Sequence, residues 1–460
     1  MDEEIANDPV GRRSRFRLFG GILLVLILLA LVVLWISRTT LADNVIQSEL
    51  NQMDVAASYE IEDIGLRKQV IRNLVIGDPE NPDMTAELVE VGNSLSMGGV
   101  GINWVRASGV KLFGRLENGK LSFGELDKFT DPEDDSPLAL PDMWLGLSDA
   151  KLRIDSEYGV IGLALNGQGE LHDGFSGEIA AISENLAAGG CAIEKPTFFG
   201  EIAIRGKKPH LQGPLRLPGV NCSDLDLTAE DFAAQISVDL GEDLASWSGK
   251  VGLLGGPLRY ADYSGQEIRA SVTLAGDFKQ SKGDVDLTAS GLKSPYGRAD
   301  SSRIKGPFAL GYGAGPLTAS YAGQPEIRGV QVAQNLLRQA GSLSASTTGT
   351  PVGPIVDRLA KAVQQAGNQL DISSDIKFSK AAGQTTLSLN ALTARSRSGA
   401  TLDLSDPLLL AFTDKNIRML ADGNIRLEGG GFPNAKFVLD DGSLSRGFSG
   451  RLEMANFQAG

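Results

Sequence analysis

Short runs in which apolar residues occupy every second position recur along most of this chain. In the run 231–240, the residues Phe232, Ala234, Ile236, Val238 and Leu240 all fall on one face of a β strand. Similar runs occur at 284–290, 401–404, 424–427 and 435–439, with turn residues between the runs. This periodicity predicts a mainly β fold built from many short strands.

The number of strands restricts the architecture further. At about 10–14 residues for a strand and its turn, the chain after residue 40 holds roughly 30–40 strands. Open sheets rarely exceed about 10 strands without curling or splitting. The chain therefore forms several sandwiches, a solenoid or one long curled sheet, and a continuous sheet would extend on the order of 150 Å.

Composition excludes several classes of function. The net charge is −14, and no Lys/Arg cluster that could neutralise a nucleic-acid backbone lies outside the N-terminal segment. Two cysteines and two histidines are too few for the usual zinc or catalytic metal motifs. We therefore expect no nucleic-acid partner, no metal and no cofactor.

The N-terminal segment predicts a membrane anchor. The stretch 18–37, from Leu18 to Ser37, carries no charge, and about 20 helical residues span a bilayer core. The positive charges before it are Arg12, Arg13, Arg15 and Arg17, and Trp35 lies where an interfacial aromatic residue is expected. These features predict a cytoplasmic tail at 1–17 and an exported remainder. The alternative is a cleaved signal peptide ending near Ala42.

Export affects the two cysteines. In a bacterium with two membranes, the exported side of the inner membrane is the oxidising periplasm. Cys191 and Cys222 are then each other's available partner, which predicts a disulfide. Two separately buried thiols are the alternative.

Composition changes divide the exported chain. The acidic, Pro-rich stretch 131–141 reads as a linker, and 342–354 as a softer break. The predicted regions are a membrane-proximal β domain at 38–130, a β groove region at 142–341, a loop and amphipathic helix at 342–370, and further β groove at 371–460. Ile355, Leu359 and Val363 place an apolar stripe on a helix at 355–366, which we interpret as a docking face, and Val332, Leu336 and Leu337 indicate a second short helix.

One four-residue motif, GFSG, occurs twice in the sequence. Gly174-Phe175-Ser176-Gly177 and Gly447-Phe448-Ser449-Gly450 are identical, with flanking Gly and Leu positions also matched. The order differs from the G-x-S-x-G nucleophile elbow, and His172 near the first copy is replaced by serine near the second. We expect a turn leading into equivalent strands, with Phe175 and Phe448 facing inward, rather than a catalytic serine.

Several longer stretches resemble one family. These are the region 38–91, which includes LVIGDPENPDMTA at 74–86, GRLENGKLSFGELDKF at 114–129, and the stretches 140–177 and 350–376. With the single N-terminal anchor, they resemble YdbH-like proteins of the AsmA-like superfamily. The resemblance covers most of the chain.

The resemblance implies an inner-membrane protein whose elongated, curled β groove crosses the periplasm. In such proteins a hydrophobic interior carries glycerophospholipids toward the outer membrane and supports its integrity. The implied partners are the inner membrane, phospholipid, the outer membrane, and an outer-membrane lipoprotein or other periplasmic protein. Members are often longer than this chain, so the 371–460 region is expected to be incomplete. A label of dicarboxylate transport given to some members finds no support in these residues.

Apolar residues in the alternating runs are candidates for the groove lining. They are Leu74, Ile76, Leu88, Leu112, Leu152, Ile154, Leu163, Leu165, Ile236 and Val238. An ordinary dry core explains each of them equally well. A scaffold for outer-membrane assembly, without lipid conduction, is the main alternative function, and an exported hydrolase is poorly supported.

Overall fold

A computed structural model of the chain describes residues 55–454, apart from 66–67, 97–98, 118–119, 130–139, 189, 313–315, 351–352, 382–383, 405–406, 414–415, 420–422, 430–431 and 444–446. The predicted cytoplasmic tail at 1–17 and membrane anchor at 18–37 lie outside the described residues. None of the helices within the described ranges is long and apolar enough to cross a bilayer. The described chain is mainly β, as predicted.

The described residues form two compact units. Unit 1 comprises the residues up to Asp224 together with Ala233–Gly249, and unit 2 comprises Leu225–Phe232 and the residues from Lys250 onward. The strands of unit 1 are β1 (Ala57–Ile64), β2 (Lys68–Asp78), β3 (Asn81–Ser96), β4 (Gly99–Ser108), β5 (Lys111–Glu117), β6 (Lys120–Ser122), β7 (Trp144–Ser156), β8 (Gly159–Glu170), β9 (Ser176–Ser183), β10 (Asn185–Ala188), β11 (Cys191–Glu194), β12 (Thr197–Arg205) and β13 (Lys208–Cys222). Short 3-10 turns follow at Gly124–Phe129 and Ser223–Leu225, and both units contain parts of β14 (Leu227–Leu240) and β15 (Ser246–Gly255).

Most strand pairs in unit 1 are antiparallel. β1, β2 and β3 pair in sequence, and β7, β8, β9, β12 and β13 form a second run. β4 and β5 lie end to end between the two runs, antiparallel to β3 and parallel to β7. A parallel pair needs a long connection. The chain from β5 to β7 supplies one, and it contains the predicted linker at 131–141, most of which lies outside the described residues.

The inner face of unit 1 is a filled hydrophobic core. β5 shows how alternation builds it, because Leu112 and Leu116 are buried while Phe113, between them, is 36% exposed. Leu145, Phe175 and Ile204 are almost fully enclosed. Burying each such side chain contributes about 1.5–3 kcal/mol.

The first copy of the repeated phrase is a turn into a strand. Gly174 has a φ of +116°, Phe175 is 1% exposed in the core, and Ser176 begins β9. Gly169 has a φ of +139°, and a Cβ at this position would lie 2.2 Å from the Gly174 carbonyl oxygen. The second copy likewise begins a strand, because β30 starts at Gly447. The side chain of Phe448 lies outside the described residues, so its inward position remains a prediction.

Unit 2 contains the remaining strands and both helices. The strands are β16 (Leu258–Tyr260), β17 (Tyr263–Gly265), β18 (Glu267–Asp277), β19 (Gln280–Ser294), β20 (Gly297–Gly311), β21 (Thr318–Gly323), β22 (Glu326–Val332), β23 (Asn368–Ala381), β24 (Gln384–Ser396), β25 (Thr401–Leu404), β26 (Leu408–Thr413), β27 (Asn416–Met419), β28 (Gly423–Gly429), β29 (Phe432–Ser443) and β30 (Gly447–Met454). β18, β19 and β20 are consecutive antiparallel neighbours. β21 and β22 lie end to end between β20 and β23, and β25 and β26 lie end to end along β24.

Two helices interrupt the strands between β22 and β23. They are α1 (Gln334–Thr347) and α2 (Gly353–Ala366), which pack on each other. α1 therefore continues to Thr347, through the first part of the break predicted at 342–354. Side-chain hydroxyl groups stabilise the helix where a loop was predicted. The Thr347 hydroxyl donates to the Ser344 carbonyl, and the Ser344 hydroxyl donates to Asp357 of α2. On α2, Ala360 and Ala362 are buried, while Val363 of the predicted stripe is 37% exposed.

Candidate functional site

The sheet of unit 2 separates apolar and polar residues onto its two faces. One row of register partners crosses β18, β19, β20, β22, β23, β24 and β25 and is apolar apart from one serine. Its members are Ile268, Ala289, Ser302, Ile327, Ile372, Ala394 and Leu402. We call this face of unit 2 the apolar face.

The neighbouring row, one residue along each strand, is polar at every position. Its members are Arg269, Thr288, Arg303, Glu326, Ser373, Thr393 and Asp403. Successive side chains of a strand point to opposite faces, so the two rows lie on opposite sides of the sheet. The same strands therefore present an apolar surface on one side and a hydrated surface on the other.

Charge pairs organise the polar face. The Arg303 guanidinium donates to Asp286, with 2.9 Å between Nε and Oδ1. That hydrogen bond holds the pKa of Asp286 below its ordinary value, and the same pairing raises the pKa of Arg303. Because Arg303 is exposed and Asp286 only half-buried, the pair contributes little to stability and mainly keeps this face polar.

A second row on the apolar face is aromatic at its centre. Phe308, Tyr321 and Phe378 are register partners on three adjacent strands, β20, β21 and β23. The row continues to Gly283 and Leu274 on one side and to Leu387 and Leu410 on the other. The hydroxyl of Tyr321 donates to the Lys305 carbonyl at 3.1 Å, and burial of the phenol raises its pKa.

Most of the apolar face is only partly buried, although Ile268 and Ala289 of the first row are 9% exposed. All seven members of the aromatic row are half-buried, and Ile304 and Leu310 on the same face are 36% and 38% exposed. In unit 1, by contrast, side chains of the same type reach 0–2% exposure. The apolar face of unit 2 therefore has room for additional apolar atoms, whereas the unit 1 core is filled by the protein itself.

Most of the candidate lining residues lie in the unit 1 core. Those with buried side chains are Leu74, Ile76, Leu112, Leu152, Ile154, Leu163 and Leu165. The structure brings Leu112, Leu152, Leu163 and Leu165 together around an apolar cleft of about 30 Å³. That volume is about one water molecule's share of the liquid. A role of these residues in lipid contact remains a prediction.

The other three candidates are placed differently. Ile236 packs against the edge of the unit 1 core, and Val238 is half-buried on the same strand. Leu88 lies on the opposite face from its buried neighbour Val89, where it lines a cavity of mixed polar and apolar character. Alternation in one strand identifies its two faces, but the partner strands decide which face turns inward.

The two cysteines are joined. Cys191 of β11 and Cys222 of β13 are register partners and form a disulfide across the two strands. Cys222 is buried at 5% exposure. The bond attaches the β10–β11 hairpin to the end of β13.

Both histidines lie next to a single carboxylate. His172 and His210 each contact one carboxylate at 2.8 Å, Asp142 and Asp239 respectively. Within the described ranges, no group of three or more His, Cys, Asp or Glu side chains is arranged to hold a metal ion.

The sequence contains a pattern that indicates the apolar face, but the residues of that pattern were not among the candidate lining residues. The run 284–290 alternates, and Val285, Leu287 and Ala289 all lie on this face. Phe308, Tyr321 and Phe378 belong to three separate strands, so their alignment becomes visible only from the register of those strands.

Comparison with known proteins gives a single finding. A family model described as YdbH-like, intermembrane phospholipid transport protein YdbH, matches residues 25–459. No curated protein and no solved structure matched the chain. The match spans nearly the whole chain and accords with its mainly β fold. The chain belongs to the YdbH-like family of intermembrane phospholipid transport proteins.

Proposed function

We propose that this protein is anchored in the inner membrane, extends into the periplasm and conducts glycerophospholipids toward the outer membrane with their acyl chains on its apolar face. The family match supports intermembrane phospholipid transport in general. The partly buried apolar face of unit 2 is the observation that carries the more specific proposal.

The dimensions of the face suit an acyl chain. Seven strands at a spacing of about 4.8 Å span about 29 Å. An acyl chain in one leaflet spans about half of the ~30 Å hydrocarbon core of a bilayer, so the row of strands is longer than the chain. A lipid tail that lies across the strands would therefore contact apolar side chains over its full length. Each methylene kept out of water stabilises the bound lipid by about 0.8 kcal/mol.

Conduction also requires that no single position hold the lipid tightly. The face consists of small and medium aliphatic residues with three aromatic rings, and the charged residues of the neighbouring row point to the other side. Contacts with the tail are then dispersive and nearly uniform from strand to strand. A lipid can move along such a surface without breaking specific hydrogen bonds.

The sequence supports the proposed orientation of the protein in the cell. Four arginines before the apolar stretch at 18–37 favour a cytoplasmic N-terminus, with the β units on the periplasmic side. The disulfide between Cys191 and Cys222 accords with an oxidising compartment.

Photocrosslinking tests the proposal with adjacent positions. A benzophenone amino acid is placed at Phe308, on the apolar face, or at Ala309, on the polar face of the same strand. We expect crosslinks to phospholipid in cells from position 308 and at least tenfold fewer from position 309. Equal labelling from both positions, or labelling of proteins only, contradicts lipid conduction, and the second result favours an assembly scaffold.

A further inference from the structure

The outer face of unit 1 carries a cavity, lined by both polar and apolar residues, that the lipid proposal does not use. It has a volume of about 560 Å³ and lies over β3, β4, β7, β8 and β9. Small-molecule sites commonly occupy about 300–1,000 Å³. Strand alternation makes it an outer-face feature, because its walls include Arg106, Gln168 and Glu178 while their neighbours Ala107 and Ile179 are buried in the core.

One wall presents a positioned cation. The Arg106 guanidinium carbon lies 5.4 Å from the ring centroid of Trp104 and 5.0 Å from that of Trp144. Cation–π contacts with two indoles hold the group in place without occupying its N–H donors. Arg106 forms no side-chain hydrogen bond or ion pair with the described residues. Arg106 is therefore able to bind an oxyanion from solution.

Glu90, the register partner of Arg106, also lines the cavity but forms no ion pair with Arg106. Its carboxylate forms a salt bridge with Lys68 instead. Ser108 and Ser148, which are register partners beside Arg106, add hydroxyl donors to the same wall. This side of the cavity therefore offers several donors and one charge without a partner.

The opposite wall presents an anion. Glu178 of β9 lines the cavity, is exposed, and forms no ion pair or side-chain hydrogen bond with the described residues. Its register partner on β12 is Glu201, so two carboxylates face each other across adjacent strands. Glu201 accepts a hydrogen bond from Gln212 at 2.8 Å, which brings no positive charge. Like charges placed directly opposite are unfavourable, and a bound cation would relieve them.

The spacing of the two charges selects the ligand class. β4 and β9 are three strand spacings apart, or about 14 Å between backbones. Both residues line the cavity over these strands, which leaves room for a compact ligand between them. Such a ligand carries an oxyanion at one end and an ammonium group at the other.

We propose that this cavity binds a compact zwitterion, with its oxyanion on Arg106 and its ammonium group near Glu178 and Glu201. Phosphoethanolamine has this chemistry, either as the headgroup of a lipid or as a free glycerophosphoester. The site lies on the outer face of unit 1, so it is separate from the apolar face of unit 2.

Ligand-observed NMR on the full chain in detergent tests the site. The probes are glycerophosphoethanolamine, glycerol 3-phosphate as the anion alone, and ethanolamine as the cation alone. We expect the zwitterion to bind at least fivefold more tightly than either half. Absent binding of the zwitterion at millimolar concentration, or equal binding of glycerol 3-phosphate, overturns the proposal.

Two substitutions and two controls assign the residues. Arg106→Gln and Glu178→Gln should each weaken binding of the zwitterion at least fivefold. Arg153→Gln and Glu157→Gln, at exposed positions of unit 1 away from the cavity, should change it less than twofold. Glu178 has no described partner to lose, so Glu178→Gln should fold normally, and wild-type affinity in that variant overturns the proposal.

A further arm separates the two sources. Tighter binding of dihexanoyl-phosphatidylethanolamine than of the glycerophosphoester supports a lipid headgroup, and equal binding supports a soluble zwitterion. Lipid crosslinking from position 308 should persist in Glu178→Gln, so failure of this site and failure of lipid conduction are distinguishable.

Discussion

Replacing one phenylalanine in each unit distinguishes a filled core from an open apolar face. Phe175 of unit 1 is 1% exposed, whereas Phe308 of unit 2 is half-buried. Phe175→Ala removes a whole ring from an enclosed site and should cost about 3–5 kcal/mol of unfolding free energy. Phe308→Ala loses roughly half of the transfer term and leaves no closed cavity, so it should cost about 1–2 kcal/mol.

The assay must follow each unit separately, because two units do not unfold as one two-state system. The described tryptophans Trp104, Trp144 and Trp247 all lie in unit 1, so their fluorescence in a urea titration reports on Phe175→Ala. Pulse proteolysis across the same urea series, with fragments assigned by mass, reports on Phe308→Ala. The wild-type chain, treated identically, is the reference for both variants.

The two variants should also differ in lipid contact. Phe308→Ala should reduce lipid crosslinking from a neighbouring apolar-face position such as Tyr321, while leaving unit 2 folded. A cost of 3 kcal/mol or more for Phe308→Ala would show that Phe308 belongs to a closed core. That result would refute the reasoning that the apolar face has room for lipid.

Three further predictions concern stability. Reducing the Cys191–Cys222 disulfide, which spans 31 residues, should lower unit 1 stability by about 3–4 kcal/mol, seen as a lower urea midpoint with reductant, and an unchanged midpoint would contradict it. Gly283→Ala should destabilise unit 2 by about 1–3 kcal/mol, because its Cβ would lie 1.8 Å from the Thr273 carbonyl oxygen; Gly252→Ala, with open space around it, is the control for the same proteolysis measurement. Asp277 accepts backbone N–H bonds from Lys279 and Gln280, which hold its pKa below the ordinary value. The stabilising contribution of Asp277 is therefore complete above the unfolded carboxyl pKa of about 4 and is lost as the pH falls through the lower pKa of the folded state. Asp277→Asn should weaken the acid dependence of the urea midpoint. An unaltered dependence would contradict this prediction.

Particular residues show how far the candidate site could be predicted. Alternation placed Phe232, Ala234 and Ile236 on one face, and the structure has the first two buried and the third packed against the core. The same reasoning put Leu88 with Leu74 and Ile76, yet Leu88 lies on the opposite face of its strand. Alternation has a period of two, so a single strand cannot say which of its faces its neighbours will cover. The residues that line the cavity around Arg106 come from five strands, β3, β4, β7, β8 and β9, and form no local motif.

The sequence by itself determined the class of fold, the family and the pairing of the only two cysteines. The fold class follows from local periodicity, and the family follows from matched stretches along the chain. The disulfide follows because each cysteine has only one other cysteine to pair with. The tertiary structure alone decided which apolar residues fill a core and which remain partly open. Phe175 and Phe308 are both apolar strand residues, but the first is enclosed by strands from several parts of unit 1 and the second aligns with Tyr321 and Phe378 on a partly uncovered face. Enclosure depends on strand register and packing between distant segments, and no local pattern encodes it.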